Sequence, residues 1–111
     1  MGITNEIKRS LSGFRDLCRN HKMNTLYAFG SSVTNNFDPE SSDIDLVVEI
    51  NESDPLERGE LLLSIWDRLE VFFDRKVDLL TEGSIKNPYL KKSIDETKIL
   101  IYDGSKEKVL V

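Results

Sequence analysis

The apolar positions change period several times along the chain, and each change marks an element. Ile3, Ile7, Leu11, Phe14 and Cys18 recur every three or four residues, which predicts one amphipathic helix from residue 3 to about 20. Leu26-Tyr27-Ala28-Phe29 is a short apolar run stopped by Gly30, as in a strand. The polar stretch Ser31 to Ser42 reads as a short helix or turn followed by a loop. Ile44 to Ile50 is rich in β-branched residues and reads as a central strand. Asp54-Pro55-Leu56-Glu57 is a helix start: an N-cap acid, a proline at the first helical position and an acid at the third. Leu62, Ile65, Trp66, Leu69 and Phe72/Phe73 continue it as one apolar face. Val77 to Leu80 is a third strand. Asn87-Pro88 opens a last helix, expected to carry Leu90 and Ile94 inward, and Ile99 to Tyr102 is either a closing strand or a packed tail. Alternating helices and strands imply an α/β (α+β) layer with a small mixed sheet of three or four strands packed with helices.

Length and composition narrow this further. The 111 residues suit one domain spanning 1–111, with one core and no room for a second, acceptor-binding domain. With 39% apolar and 32% charged residues, the chain is that of an ordinary globular domain. No apolar run exceeds four residues, so no membrane span and no apolar leader are expected. The single cysteine, Cys18, pairs with nothing inside the chain, which fits a cytoplasmic protein. The net charge of −5 argues against a long nucleic acid as partner. That charge is unevenly spread. From Met23 to Glu57 there are eight acids and no Lys or Arg, while the rest of the chain carries a net +3. Such a stretch either faces water or holds cations.

Three features inside or near it carry candidate chemistry. Gly30-Ser31 directly follows a strand, where a glycine admits close backbone approach and N–H groups with a hydroxyl hold phosphate. Alone, this is equally a strand-ending glycine with a capping serine. Asp43 and Asp45 flank Ile44 at the mouth of the second strand, so strand alternation puts both on one face. Two carboxylates so placed repel unless one is protonated or a cation lies between them, and oxygen-only ligands suit Mg²⁺ or Mn²⁺. Alone, they are also compatible with a solvated strand end. Asp78 interrupts the apolar strand Val77–Leu80, and joins the pair if that strand lies beside Ile44–Ile50; otherwise it is a surface acid on an edge.

The combination of a strand, Gly30-Ser31, Ser42-Asp43-Ile44-Asp45-Leu46-Val47-Val48 and Val77-Asp78-Leu79-Leu80 resembles the minimal nucleotidyltransferase (MNT) domain of the DNA polymerase β-like superfamily. Ile85-Lys86-Asn87-Pro88-Tyr89 and the closing Ile99-Leu100-Ile101-Tyr102 resemble its small stand-alone members. Where many members carry Arg-Gly after the Gly-Ser, this chain has Thr34-Asn35.

The resemblance implies a polymerase β-like palm that transfers a nucleoside monophosphate, AMP from ATP, to a hydroxyl with release of pyrophosphate. It assigns Asp43, Asp45 and Asp78 as catalytic ligands of two Mg²⁺ ions, with Mn²⁺ as a substitute. Gly30, Ser31, Ser32 and Ser42 become nucleotide-binding residues. It also implies a HEPN-domain toxin as protein partner and acceptor, making this chain the antitoxin; a homo-oligomer is compatible with this. The alternatives are a non-catalytic docking module that binds nucleotide, and a small-molecule adenylyltransferase. Of the remaining residues, His21 is expected at a helix C-terminus, Trp66, Phe72 and Phe73 in the core, and Cys18 buried and inert. Tyr89 and Tyr102 are expected to pack rather than line a nucleotide pocket. Arg75-Lys76 and Lys91-Lys92 are the nearest basic candidates for phosphate or partner contact.

Overall fold

The computed structural model describes residues 2–33 and 43–111, and for Ser31 the backbone only. The chain begins with two helices, α1 (Gly2–Lys8) and α2 (Leu11–Asn20), where the sequence predicts one. The apolar spacing is respected, since Ile3, Ile7, Phe14 and Cys18 are all buried. The axis breaks at Arg9-Ser10, where Ser10 leaves helical geometry (φ −142°, ψ 57°) and its N–H closes back on the Ile7 carbonyl at 3.1 Å. Leu11 is 45% exposed, so no core contact holds the intervening turn in line, and serine competes poorly for a helix interior.

The sheet is built on β1 (Met23–Phe29), β2 (Ile44–Ile50), β3 (Val77–Thr81), β4 (Ile99–Asp103) and the two-residue β5 (Lys108–Val109), in the order β3-β2-β1-β4-β5. Only β2 and β3 pair in parallel; the other neighbours are antiparallel. β1 starts three residues earlier than its apolar run, and Ile99–Tyr102 is a strand rather than a tail. The short β5 adds an edge beyond the three or four expected strands.

The parallel pair is joined by α3 (Pro55–Phe73), the helical crossover that parallel strands require. α3 begins as its sequence predicts, with the Asp54 carboxylate accepting from the Leu56 N–H at 3.3 Å and Pro55 in the first turn. Ile65, Leu69 and Phe73 lie one turn apart and are buried. Phe73 and Phe72 meet Phe14 of α2 at ring distances of 6.2 and 5.2 Å. α1, α2 and α3 thus share a core with Leu26, Ala28, Ile44, Leu46, Val48 and Val77 on one side of the sheet.

α4 (Pro88–Thr97) is capped by Asn87, which accepts from the N–H groups of Tyr89 and Leu90. It buries only Ile94, which lies outside the main core cluster, and it packs beside residues Gly30–Val33. Leu90 is 44% exposed and Tyr89 84% exposed; with one apolar residue anchoring it, α4 turns both outward. Tyr102, by contrast, is packed in the core. Among the described residues, no helix is long and apolar enough to cross a membrane.

Candidate active site

β2 and β3 pair so that Asp45 sits directly beside Asp78. Both face away from the main core, because Ile44 and Leu46 on β2, and Val77 and Leu79 on β3, take the inward positions. The Asp45 carboxyl is pushed up to about 6, first by burial, then by the charge of Asp78 and a hydrogen bond to it, and last by the charge of Asp43. Two half-buried carboxylates within hydrogen-bonding reach share either a proton or a cation.

α3 fixes the strand that carries Asp78. The Trp66 indole Nε1–H donates to the Val77 carbonyl at 2.7 Å, and the Glu70 carboxylate accepts from the Val77 N–H at 2.9 Å. Both main-chain groups of the residue before Asp78 are therefore held by one helix, and the outer edge of β3 is covered there. Trp66 is more than a core residue, and Glu70 has no signal in the sequence beyond its acidity. Its role depends on a contact seven residues ahead that no periodicity marks.

The other wall comes from the end of β1. Phe29 pairs with Asp45, and Gly30 then turns the chain off the sheet at φ +64° into a single 3₁₀ turn, Gly30–Val33. A side chain at Gly30 would place its Cβ 2.8 Å from Asp45 Oδ2. Glycine is thus required twice, for the left-handed backbone and for the space the carboxylate fills. Ser32 is fully buried, and its hydroxyl oxygen accepts from the Asp45 N–H at 2.9 Å.

Gly30, Ser32, Asp45 and Asp78 are accordingly brought together. Asp43 stands exposed just ahead of β2, close enough to act on Asp45 by its charge. Among the described residues, no three His, Cys, Asp or Glu side chains are gathered into one ligating cluster. The pair Asp45–Asp78 still offers the hard oxygen donors that a divalent cation takes. Ser42, Thr34 and Asn35 lie outside the described residues.

The basic candidates are mostly committed elsewhere. Arg75 pairs with Glu6 at 2.7 Å, Lys91 with Asp95 at 3.3 Å and Lys92 with Glu96 at 3.9 Å. His21 ends α2 as expected, bonded to the Leu17 carbonyl and to Ser64 Oγ, each at 2.8 Å. Cys18 is buried, which pushes its thiol up and leaves it unreactive.

Residues 13–101 match the family model described as a nucleotidyltransferase domain. A Methanocaldococcus jannaschii protein named "Putative protein adenylyltransferase MJ0128" is 38% identical over 102 residues, covering 84% of this chain and 99% of that protein. A crystal structure of a toxin-antitoxin with AMP-PNP superposes with a TM-score of 0.58 at 23% identity, covering 88% of this chain and 83% of the other. A structure of the tri-AMPylated Shewanella oneidensis HEPN toxin in complex with its MNT antitoxin gives 0.52 at 23% identity, covering 96% and 76%. These two likenesses bear on the fold alone. The family match, which spans the glycine turn and both aspartate strands, shows that the chain belongs to the nucleotidyltransferase domain family.

Proposed function

We propose that the chain is a metal-dependent adenylyltransferase that moves AMP from ATP to a hydroxyl of a protein partner, a HEPN-domain toxin for which it serves as antitoxin. The observation that carries the reading is the Asp45–Asp78 pair: two half-buried carboxylates in register, one raised to about 6, closed on one side by a glycine turn. Asp45, Asp78 and Asp43 would hold a divalent cation, which would supply the positive charge a triphosphate needs to approach three carboxylates.

The chain's own groups do the rest. The backbone of the Gly30–Val33 turn binds the outer phosphates, which sets the α-phosphorus toward the aspartates. Asp78 takes up the proton that the acceptor hydroxyl gives up. The oxygen then attacks the α-phosphorus, a P–O bond to the acceptor forms, and pyrophosphate leaves with the electron pair of the broken bond. Trp66 and Glu70 hold Asp78 in line through Val77.

The protein acceptor is supported by two things. One relative is named "Putative protein adenylyltransferase MJ0128", and the HEPN toxin of a neighbouring structure is tri-AMPylated. The test is incubation with α-labelled ATP, Mg²⁺ and a HEPN-domain protein encoded beside this chain. Label on that protein, lost on adding a chelator, is the expected result. Label on a small hydroxyl compound with no protein present would replace this reading.

A further inference from the structure

We infer that Ser32 is a positioning residue for Asp45, tying the glycine turn to the carboxylate pair, and not a contact of the nucleotide. Successive N–H groups of a strand point to opposite sides. The Ile44 N–H goes to the Lys76 carbonyl, on the β3 side, at 3.1 Å. The Asp45 N–H therefore faces β1, just where β1 stops at Phe29 and Gly30 leads the chain out of the sheet. Two residues on, Ser32 returns its hydroxyl oxygen to that N–H at 2.9 Å. The side chain adds a bond from the turn to the Asp45 N–H, at the end of the sheet where Asp45 pairs with Phe29.

Two consequences follow from the geometry. Asp45 is held on both flanks, through Ile44 to β3 and through its own N–H to the turn, so its carboxylate keeps only side-chain torsions. The turn and Asp45 also become one body, so whatever the turn's backbone binds is kept at a fixed distance from the carboxylate. With no exposed surface, the Ser32 hydroxyl has no face to offer a phosphate.

The inference builds on the proposed transfer centre, but its first test does not depend on it. In the metal-free, nucleotide-free chain, amide hydrogen exchange at Asp45 followed by NMR is expected to be at least about tenfold faster in Ser32→Ala than in wild type, with Ile44 unchanged. Affinity for Mn²⁺ alone is expected to fall about tenfold, the usual loss when a ligand's supporting partner is removed. In the transfer assay kcat falls about 10- to 100-fold, while KM for MgATP stays within about threefold. Should Ser32→Ala fail to fold, Ser32→Cys, of similar size and a weak acceptor, carries the same comparison with intermediate values. Unchanged exchange at Asp45 in a folded variant overturns the inference. So does a raised KM with unchanged kcat, which would make Ser32 a nucleotide contact. A wild type that transfers nothing would sink the proposed function and leave the exchange result to decide Ser32.

Discussion

Two groups of acids in this molecule have opposite surroundings. Around α4, Asp95 lies 3.1 Å from Lys98 and 3.3 Å from Lys91, and Glu82 lies 3.6 and 3.7 Å from the same two lysines. The hydrogen bonds from Lys98 and Lys91 hold the Asp95 carboxyl below its ordinary range. At the mouth of β2, Asp45 and Asp78 meet each other, and the Asp45 carboxyl is pushed up to about 6. The residue type is the same in both places. The neighbours decide whether a carboxylate is neutralised within the protein or must take its counter-charge from solution, and only the second kind is available to a cation and a triphosphate.

The comparison breaks most severely at the pair itself. Asp45→Asn or Asp78→Asn is expected to cut AMP transfer by more than about a thousandfold, since each removes a group that acts as part of one unit. Circular dichroism should show both variants folded, because neither carboxylate belongs to the main core cluster. Gly30→Ala comes next. The new methyl meets Asp45 Oδ2 and the left-handed backbone disfavours any side chain, so a loss of about 1–2 kcal/mol in urea denaturation is expected, with transfer lost as well.

The third effect is one of pH. A carboxyl at an ordinary 3.8 in the unfolded chain and about 6 in the folded one favours the folded state while protonated. That contribution is complete below pH 4 and is lost as pH rises through about 6. Because Asp45 is half exposed, solvent screening reduces its worth to on the order of 1 kcal/mol. Metal-free Asp45→Asn should therefore be more stable than wild type by that amount at pH 7.5, and equal to it at pH 4. Added Mg²⁺ should narrow the gap at pH 7.5. The smallest effect belongs to α4: Asp95→Asn should leave both transfer and the denaturation midpoint unchanged within error at moderate salt, as is usual for exposed pairs.

How far these differences are legible in the sequence depends on the range of the contact. The Asp54-Pro55 and Asn87-Pro88 helix starts are local, and both caps form as the sequence predicts. Strand alternation turns Asp45 away from Ile44 and Leu46, and Asp78 joins it because β3 pairs with β2, whereas Asp43 lies just ahead of β2, where alternation does not fix its face. The break at Ser10 is not legible, because Ile3, Ile7, Phe14 and Cys18 keep the same periodicity whether the helix is straight or bent. Leu90 and Tyr89 mislead for a related reason: apolar type does not say whether a neighbour exists to cover it. The holding of Val77 by Trp66 and Glu70, and of Asp45 by Ser32, rests on single side-chain-to-backbone contacts across 11, 7 and 13 residues. No compositional pattern marks such contacts.

The central claim is that the transfer centre is the Asp45–Asp78 pair, and one assay bears on it most directly. Wild type, Asp45→Asn and Asp95→Asn are incubated side by side with α-labelled ATP, Mg²⁺ and the proposed HEPN-domain partner, and label on that protein is counted. Full label with wild type and Asp95→Asn, and none with a folded Asp45→Asn, is the predicted result. Label persisting with Asp45→Asn, or vanishing with Asp95→Asn, would contradict it.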